Sequence, residues 1–334
     1  MKFLIIGGGS IGMRHFRNLQ ILGYENISVL KREPAADFAK VNNVHVLNSY
    51  EQAAALKFDS IIVATPTALH NEGLFFAIKN QCNIFMEKPL IHNKEGMVLA
   101  KEKMADFTGT FFIGFMLRFH PLIQKIKELI AAERLGPVYS ARFSFGSFLP
   151  NWHPWEDYTT SYASKIDMGG GVINTITHEL DLIQYLFGLP KSIFCLKNNQ
   201  SILNIDADEQ CEAIFEYEDK CISLHLDYLQ KGPNRSVEII CEKGAIKFNW
   251  KNQTLVISEY LQDEEIIQCA NFDLNQMYID ELMDFIDKAI GNQKTHALDF
   301  NHALKNTELM LLMHQSANKR KLLKYNGFSK SEVL

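Results

Sequence analysis

The sequence predicts an α/β chain in two domains: a doubly wound parallel sheet over residues 1–120, and an α+β domain over 121–334 with a mostly antiparallel sheet. Three observations carry this. The length, 334 residues, suits two ordinary domains. Short apolar runs alternate with helix-period segments through the first 120 residues. Beyond them, stretches such as CEAIFEY and SLHLDYL alternate apolar and polar residues, the pattern of a sheet with one covered face.

Lys2 to Ile6 reads as a buried parallel strand. Ile11, His15, Leu19 and Leu22 then recur at helical spacing, and Gly23 ends that helix. Strands follow at Ile27–Leu30, Val44–Leu47, Ser60–Ala64, Asn83–Met86 and Gly109–Phe115, with a helix near Asn71–Asn80. This alternation implies right-handed crossovers and a parallel sheet. The domain boundary falls near Phe119–Pro121. In the second domain Pro137–Phe148, Ser192–Lys197, Glu209–Tyr217, Cys221–Tyr228, Ser236–Cys241, Ala245–Trp250 and Leu255–Tyr260 read as strands, with turn signals at GPNR and EKGA. Helices are expected at Met277–Ile290 and His302–Lys319.

Composition bounds the function. At 47% hydrophobic, 22% charged and net charge −5, the chain is an ordinary globular one. No apolar run approaches the roughly 20 residues of a membrane span, and Phe3–Ile6 is too short for a signal-peptide core, so a cytoplasmic location and no membrane partner are expected. The six cysteines form no CxxC pair; they fit a reducing compartment, and no metal site is expected. The only basic cluster is Lys319, Arg320 and Lys321, so no nucleic-acid partner is expected.

The stretch GGGSIG follows the first strand and opens the first helix, the context that makes a dinucleotide-binding fingerprint credible. Gly7 allows the tight turn, Gly9 lets a pyrophosphate approach the backbone, and Gly12 lets helix and strand pack closely. With Ser10 and Ile11 they form the expected phosphate cradle of a Rossmann domain. At the end of the second strand, SVLKREP places Lys31 and Arg32 where an acidic residue would bind the NAD ribose. Two cations suit a 2′-phosphate, so the expected cofactor is NADP or NAD with NADP favoured; Glu33 keeps NAD open.

Three further stretches, ATPTALH (64–70), MEKPL (86–90) and GGGVINTITHELD (169–181), complete a resemblance to the glucose-fructose oxidoreductase and inositol dehydrogenase family, often called Gfo/Idh/MocA. It covers nearly the whole chain, and the Glu-Lys-Pro motif is its most specific part. The resemblance implies an NAD(P)-dependent dehydrogenase or reductase acting on sugars, sugar derivatives, cyclitols or nucleotide sugars. It also implies an open antiparallel sheet in the second domain, which closes the substrate pocket and often mediates assembly, here as a homodimer or homotetramer. WHPWEDY and SYASK resemble members found with surface-polysaccharide sugar pathways, which raises an activated or amino sugar as substrate.

Lys88 lies at a strand's C-terminal edge, where α/β sheets bind ligands, and can stabilise a developing oxyanion; Glu87 stands beside it among the cofactor-binding candidates. Pro89 would hold that turn rigid, with a cis peptide as one option. Read as one helix, Asn174, His178, Asp181 and Tyr185 share a polar face. His178 suits a proton shuttle, and Asp181 could hold its tautomer. The family's usual aspartate three or four residues before this histidine is replaced by Thr175 and Asn174, leaving Asp181 or Asp167 as substitutes. Arg118 could pair with a substrate carboxylate or phosphate, while His153, Glu156 and Asp157 could bind hydroxyls and Trp152 and Trp155 stack on a sugar. Asn174 and Asp181 join the substrate candidates; Thr65, Pro66 and His70 should line the nicotinamide side; His15 and Arg14 could touch phosphate, face solvent or face the domain seam. Two other readings stay open: elimination or glycoside cleavage by an internal redox cycle, and non-catalytic dinucleotide binding, against which Lys88 and His178 argue.

Overall fold

A computed structural model describes residues 1–34, 37–292 and 297–327. Six short strands, β1 (Phe3–Ile6), β2 (Ile27–Leu30), β3 (His45–Leu47), β4 (Ser60–Val63), β5 (Asn83–Glu87) and β6 (Phe111–Gly114), pair in the order β3-β2-β1-β4-β5-β6. Every pair is parallel. All residues of β1, β2 and β4 are buried, as continuous apolar runs in a two-sided sheet require. Five helices connect the strands: α1 (Ser10–Ile21), α2 (Phe38–Asn42), α3 (Tyr50–Ala54), α4 (His70–Lys79) and α5 (Lys94–Met104). The chain reverses its winding between β1 and β4, the switch point at which such sheets take ligands.

The second sheet follows α6 (Pro121–Ala131), whose Leu122, Ile123, Ile126 and Leu129 are buried. Its strands are β7 (Val138–Gly146), β8 (Ser192–Asn198), β9 (Gln210–Glu216), β10 (Cys221–Asp227), β11 (Asn234–Cys241), β12 (Gly244–Asn249), β13 (Thr254–Glu259) and β14 (Glu265–Gln268). Between β7 and β8 lie α7 (Val172–Thr175) and α8 (His178–Phe187); after β14 come α9 (Leu274–Ala289), α10 (Phe300–Lys319) and β15 (Leu323–Lys324). The order is β14-β13-β12-β11-β7-β10-β9-β8-β15, with every neighbouring pair antiparallel except β7 with β10. In β9 the predicted alternation is literal: Cys211, Ala213 and Phe215 are buried, while Glu212, Ile214 and Glu216 are exposed.

Among the described residues, one compact unit comprises Met1–Met116 with Leu274–Thr307; the other comprises Leu117–Asp273 with residues 308–327. α9 therefore belongs to the parallel-sheet unit. Its Phe285 meets Phe85 and Phe112 edge-on at 5.6 and 6.1 Å, and its start is tied to α1 through Asn275 and Asn18. Among the described residues no helix is long and apolar enough to cross a membrane.

Candidate active site

In the parallel-sheet unit the glycines divide by what surrounds them. A Cβ at Gly12 would stand 1.9 Å from the Gly7 carbonyl oxygen, so helix and loop can only meet through bare backbone. Gly7 has φ +112° and a Cβ there would lie 2.4 Å from the Ala64 oxygen. Gly9 differs: it caps α1 with φ −82°, and a Cβ there meets nothing within 4 Å. No protein atom requires a glycine at that position, and its bare backbone is open to close approach by another group. No side chain caps α1 and no acidic residue sits in its first turn, so the first N–H groups of the helix, those of Ser10 and Ile11 among them, are left uncapped at its positive dipole end. Beside it, the Oγ1 of Thr65 is buried with no hydrogen-bond partner among the described residues. Bare backbone, an uncapped helix end and an unpartnered hydroxyl fit a bound dinucleotide. Pro66 follows Thr65 as the cap of a short 3-10 turn leading into α4.

The turn after β5 carries Lys88, which is half-buried and joined to Pro89 by a cis peptide. The Glu87 carboxylate is engaged within the protein. It is buried, its Oε1 lies 2.7 Å from Nε2 of His15, and its Oε2 accepts from the Lys88 backbone N–H. Burial alone would raise this carboxyl, but the His15 hydrogen bond and nearby positive charge hold it below its ordinary range. His15 itself is fully buried, so it touches neither phosphate nor solvent. Arg14 instead stacks over Tyr278 of α9 at 4.4 Å. The His70 ring is likewise engaged within the protein. It is buried, with its ring nitrogens 3.1 Å from the Leu90 carbonyl and 3.0 Å from the Thr65 carbonyl, and burial pushes its pKa down. One imidazole thus ties the turn after β4 to the turn after β5.

In the antiparallel unit the segment read as one helix is two. The break falls at Ile176 (φ −100°, ψ 60°), inside the β-branched run Thr175-Ile176-Thr177, which favours extended backbone. Asn174 therefore does not share a helical face with His178. Its amide is already engaged: Nδ2 donates to the Gly170 carbonyl at 3.0 Å, and Oδ1 accepts from His314 Nε2 at 2.8 Å. The Arg118 and Asp181 side chains are engaged with each other. The guanidinium grips both carboxylate oxygens at 2.7 and 2.8 Å, is buried, and stacks 4.5 Å over Tyr185. Asp181 thus answers Arg118 through both oxygens. Glu179, one residue from His178, is held through Oε1 alone by Arg235 Nε at 2.5 Å. His178 is half-buried at the first position of α8, just ahead of two acidic residues that each pair with an arginine. Asp167 is exposed.

The aromatic loop is mixed. Trp152 is partly buried, donates to Ser147 Oγ at 3.0 Å and packs on Tyr228, a structural role. Trp155 is 76% exposed with His153 beside it at 5.4 Å, so this pair keeps a surface available for a ligand. Glu156 and Asp157 are exposed. At the end of β2, Arg32 pairs with Glu72 of α4, and Lys31 lies 5.4 Å over Phe38. The sequence reading missed Glu72 and His314; their partners are distant in the chain, and spacing carries no sign of them.

Residues 1–112 match the model of the oxidoreductase family with an NAD-binding Rossmann fold, and residues 123–247 match that of the GFO/IDH/MocA C-terminal domain. A scyllo-inositol 2-dehydrogenase (NAD(+)) of Bacillus subtilis (strain 168) is 29% identical over 219 residues, 63% of this chain and 60% of that protein. A D-xylose 1-dehydrogenase (NADP(+)) of Haloferax volcanii is 24% identical over 224 residues, 65% of this chain and 66% of that protein. The match thus spans less than two thirds of either relative. A solved levoglucosan dehydrogenase, in complex with NADH and levoglucosan, shares the fold with a TM-score of 0.84, 98% of this chain and 99% of that one being covered at 17% identity.

Proposed function

This chain belongs to the Gfo/Idh/MocA oxidoreductase family, and from that premise we propose that it moves a hydride between NADP(H) or NAD(H) and a sugar, sugar derivative or nucleotide sugar. Residues 1–120 are assigned the dinucleotide and residues 121–334 the substrate. The observation that carries the reading is Gly9, bare where no protein atom demands it, at the uncapped end of α1. The bound dinucleotide would supply the hydride. Gly7, Gly9, Ser10, Ile11 and Gly12 would hold its diphosphate, and Thr65 Oγ1 offers a further hydrogen bond. Lys88 is assigned to the substrate oxygen, where its ammonium lowers the cost of negative charge, and His178 to the proton.

The substrate class is supported by relatives named for inositol and xylose and by the exposed Trp155–His153 pair, which offers a sugar an apolar face and a hydrogen-bonding ring. NADP is favoured by Lys31 and Arg32. Work in a reducing, cytoplasmic compartment is supported by six free thiols, and assembly into a homodimer or homotetramer by Leu196 and Ile214, exposed on the neighbouring strands β8 and β9. A second reading, an internal redox cycle without net turnover of cofactor, is favoured by Asn174 standing where the family's aspartate is expected.

The test is titration of the protein with NADPH and NADH by nicotinamide fluorescence, wild type against Gly9→Ala. An alanine methyl enters open space, so thermal stability should move by no more than about 1 kcal/mol, whereas affinity should fall at least about tenfold. Equal affinity in both proteins would remove the diphosphate from this loop. Net consumption of NADPH across a sugar panel separates the two readings.

A further inference from the structure

We propose that Glu72, together with Arg32, selects between the two coenzymes at the ribose 2′ position; the inference rests on the dinucleotide reading above. Arg32 lies just past the end of β2, and Glu72 in the first turn of α4, which follows β4. β1 lies between β2 and β4 in the sheet, and its C-terminal end carries the glycine loop. The Arg32–Glu72 ion pair therefore joins the elements that follow the two strands flanking that loop. A dinucleotide with its diphosphate on α1 directs its adenosine ribose toward the end of β2. The pair thus stands where the 2′ substituent arrives.

Its chemistry reads that substituent from both sides. Lys31 and Arg32 take the place at the end of β2 where a carboxylate would accept from the 2′-hydroxyl of NAD, with Glu33 one residue further on; Glu72 delivers a carboxylate from α4. Arg32 offers the planar fork that suits a 2′-phosphate. In the pair each group holds the other back. A 2′-phosphate must displace the Glu72 carboxylate from Arg32 and bear its repulsion, whereas a 2′-hydroxyl can bond to Glu72 without breaking the pair. The guanidinium is held in place further by Tyr50, whose ring lies 5.5 Å below it, and Lys31 is drawn toward the Phe38 ring. The side chains of Arg32 and Glu72 are 52% and 44% exposed, so a ligand can reach them. Glu72 therefore weakens the preference for NADP that Lys31 and Arg32 alone would impose.

Dissociation constants for NADPH and NADH, measured by fluorescence on wild type, Glu72→Gln and Arg32→Gln, test this. Glu72→Gln should tighten NADPH about fivefold and leave NADH equal or weaker, moving the ratio toward NADP. Arg32→Gln should weaken NADPH by a similar factor, and Glu72→Gln added to it should tighten NADPH by less than it does in the wild-type background. Both side chains are exposed and both variants should fold as wild type does, which circular dichroism checks. If Glu72→Gln binds both coenzymes with their ratio unmoved, the selector role is overturned while the dinucleotide reading stands. If wild type binds neither coenzyme, both fall.

Discussion

Lys88 follows a buried carboxylate whose two oxygens are taken, one by the His15 ring and one by the lysine's own backbone N–H. The turn that presents its ammonium is therefore held from within, and removing the side chain beyond Cβ should leave that turn in place. Lys88→Ala is expected to lower turnover at least about a hundredfold while nucleotide affinity stays mostly intact. Steady-state kinetics beside a fluorescence titration checks it; near-normal turnover removes the assigned role. His225 shows a titration with a structural consequence. It sits between Glu212 at 2.5 Å and Asp227 at 2.8 Å. The Asp227 hydrogen bond, against burial and with Glu212 adding, pushes its pKa up to about 9. A folded-state pKa above the unfolded one means stability that is complete below the unfolded pKa of about 6.5 and is lost as pH rises through the folded value. Urea unfolding should lose on the order of 1 kcal/mol between those two values, and His225→Gln should not show that loss. Equal pH profiles for the two proteins would contradict it. At this scale the sequence was legible where a residue acts through its neighbours in the chain, as Gly7, Gly12 and Lys88 do. It was opaque for Arg118, whose carboxylate partner lies 63 residues away.

At the scale of elements, α8 shows how a functional helix is fixed. Its first turn carries Glu179 and Asp181, favourable at a positive helix end, yet both are buried. Each charge is answered by one arginine, Arg235 and Arg118. The Arg235 guanidinium is enclosed by Phe145 at 4.2 Å and Trp250 at 5.0 Å, so the helix is seated on the sheet through β11 and β7 as well. Removing one partner leaves the other charge buried alone. Arg118→Met should cost about 3–5 kcal/mol in urea unfolding, and the double variant Arg118→Met/Asp181→Leu should recover much of it. Additive losses would mean the pair is not a unit. The elements that sequence patterns disclosed were those with clear periods: the buried parallel strands and alternating β9 and β10. α2 has no buried residue and α3 only Ala53, so neither has a stripe to read. β14 and β15 lie at the two ends of the sheet order; β14 has no buried residue and β15 spans two residues.

At the scale of the molecule, the parallel-sheet unit takes in a distant part of the chain. Phe285 packs on Phe85 and Phe112, Phe300 meets Phe111 at 5.3 Å, and the Ile113 N–H bonds the Leu298 carbonyl. One face of β5 and β6 is thus covered by residues that come after eight of the nine strands of the second sheet. A fragment of residues 1–120 lacks that cover. It is expected to bind a hydrophobic dye and to melt without a cooperative transition, each uncovered phenylalanine having lost burial on the order of 2 kcal/mol. A sharp two-state transition from the fragment would show that α9 is dispensable.

The sequence by itself determined the α/β order of the first 112 residues, the bare loop that opens α1, the lysine turn after β5 and the alternating strands of the second sheet. Each is written in spacings of a few residues, over which the backbone's own periods operate. Only the tertiary structure decided which polar groups remain open to a ligand. Glu87, His70, Asn174, Arg118 and Asp181 look available in the chain and are engaged in the fold, and Arg32 meets a carboxylate 40 residues away. A buried charge or amide must find a partner, and which partner it finds depends on the strand order, not on its neighbours along the chain.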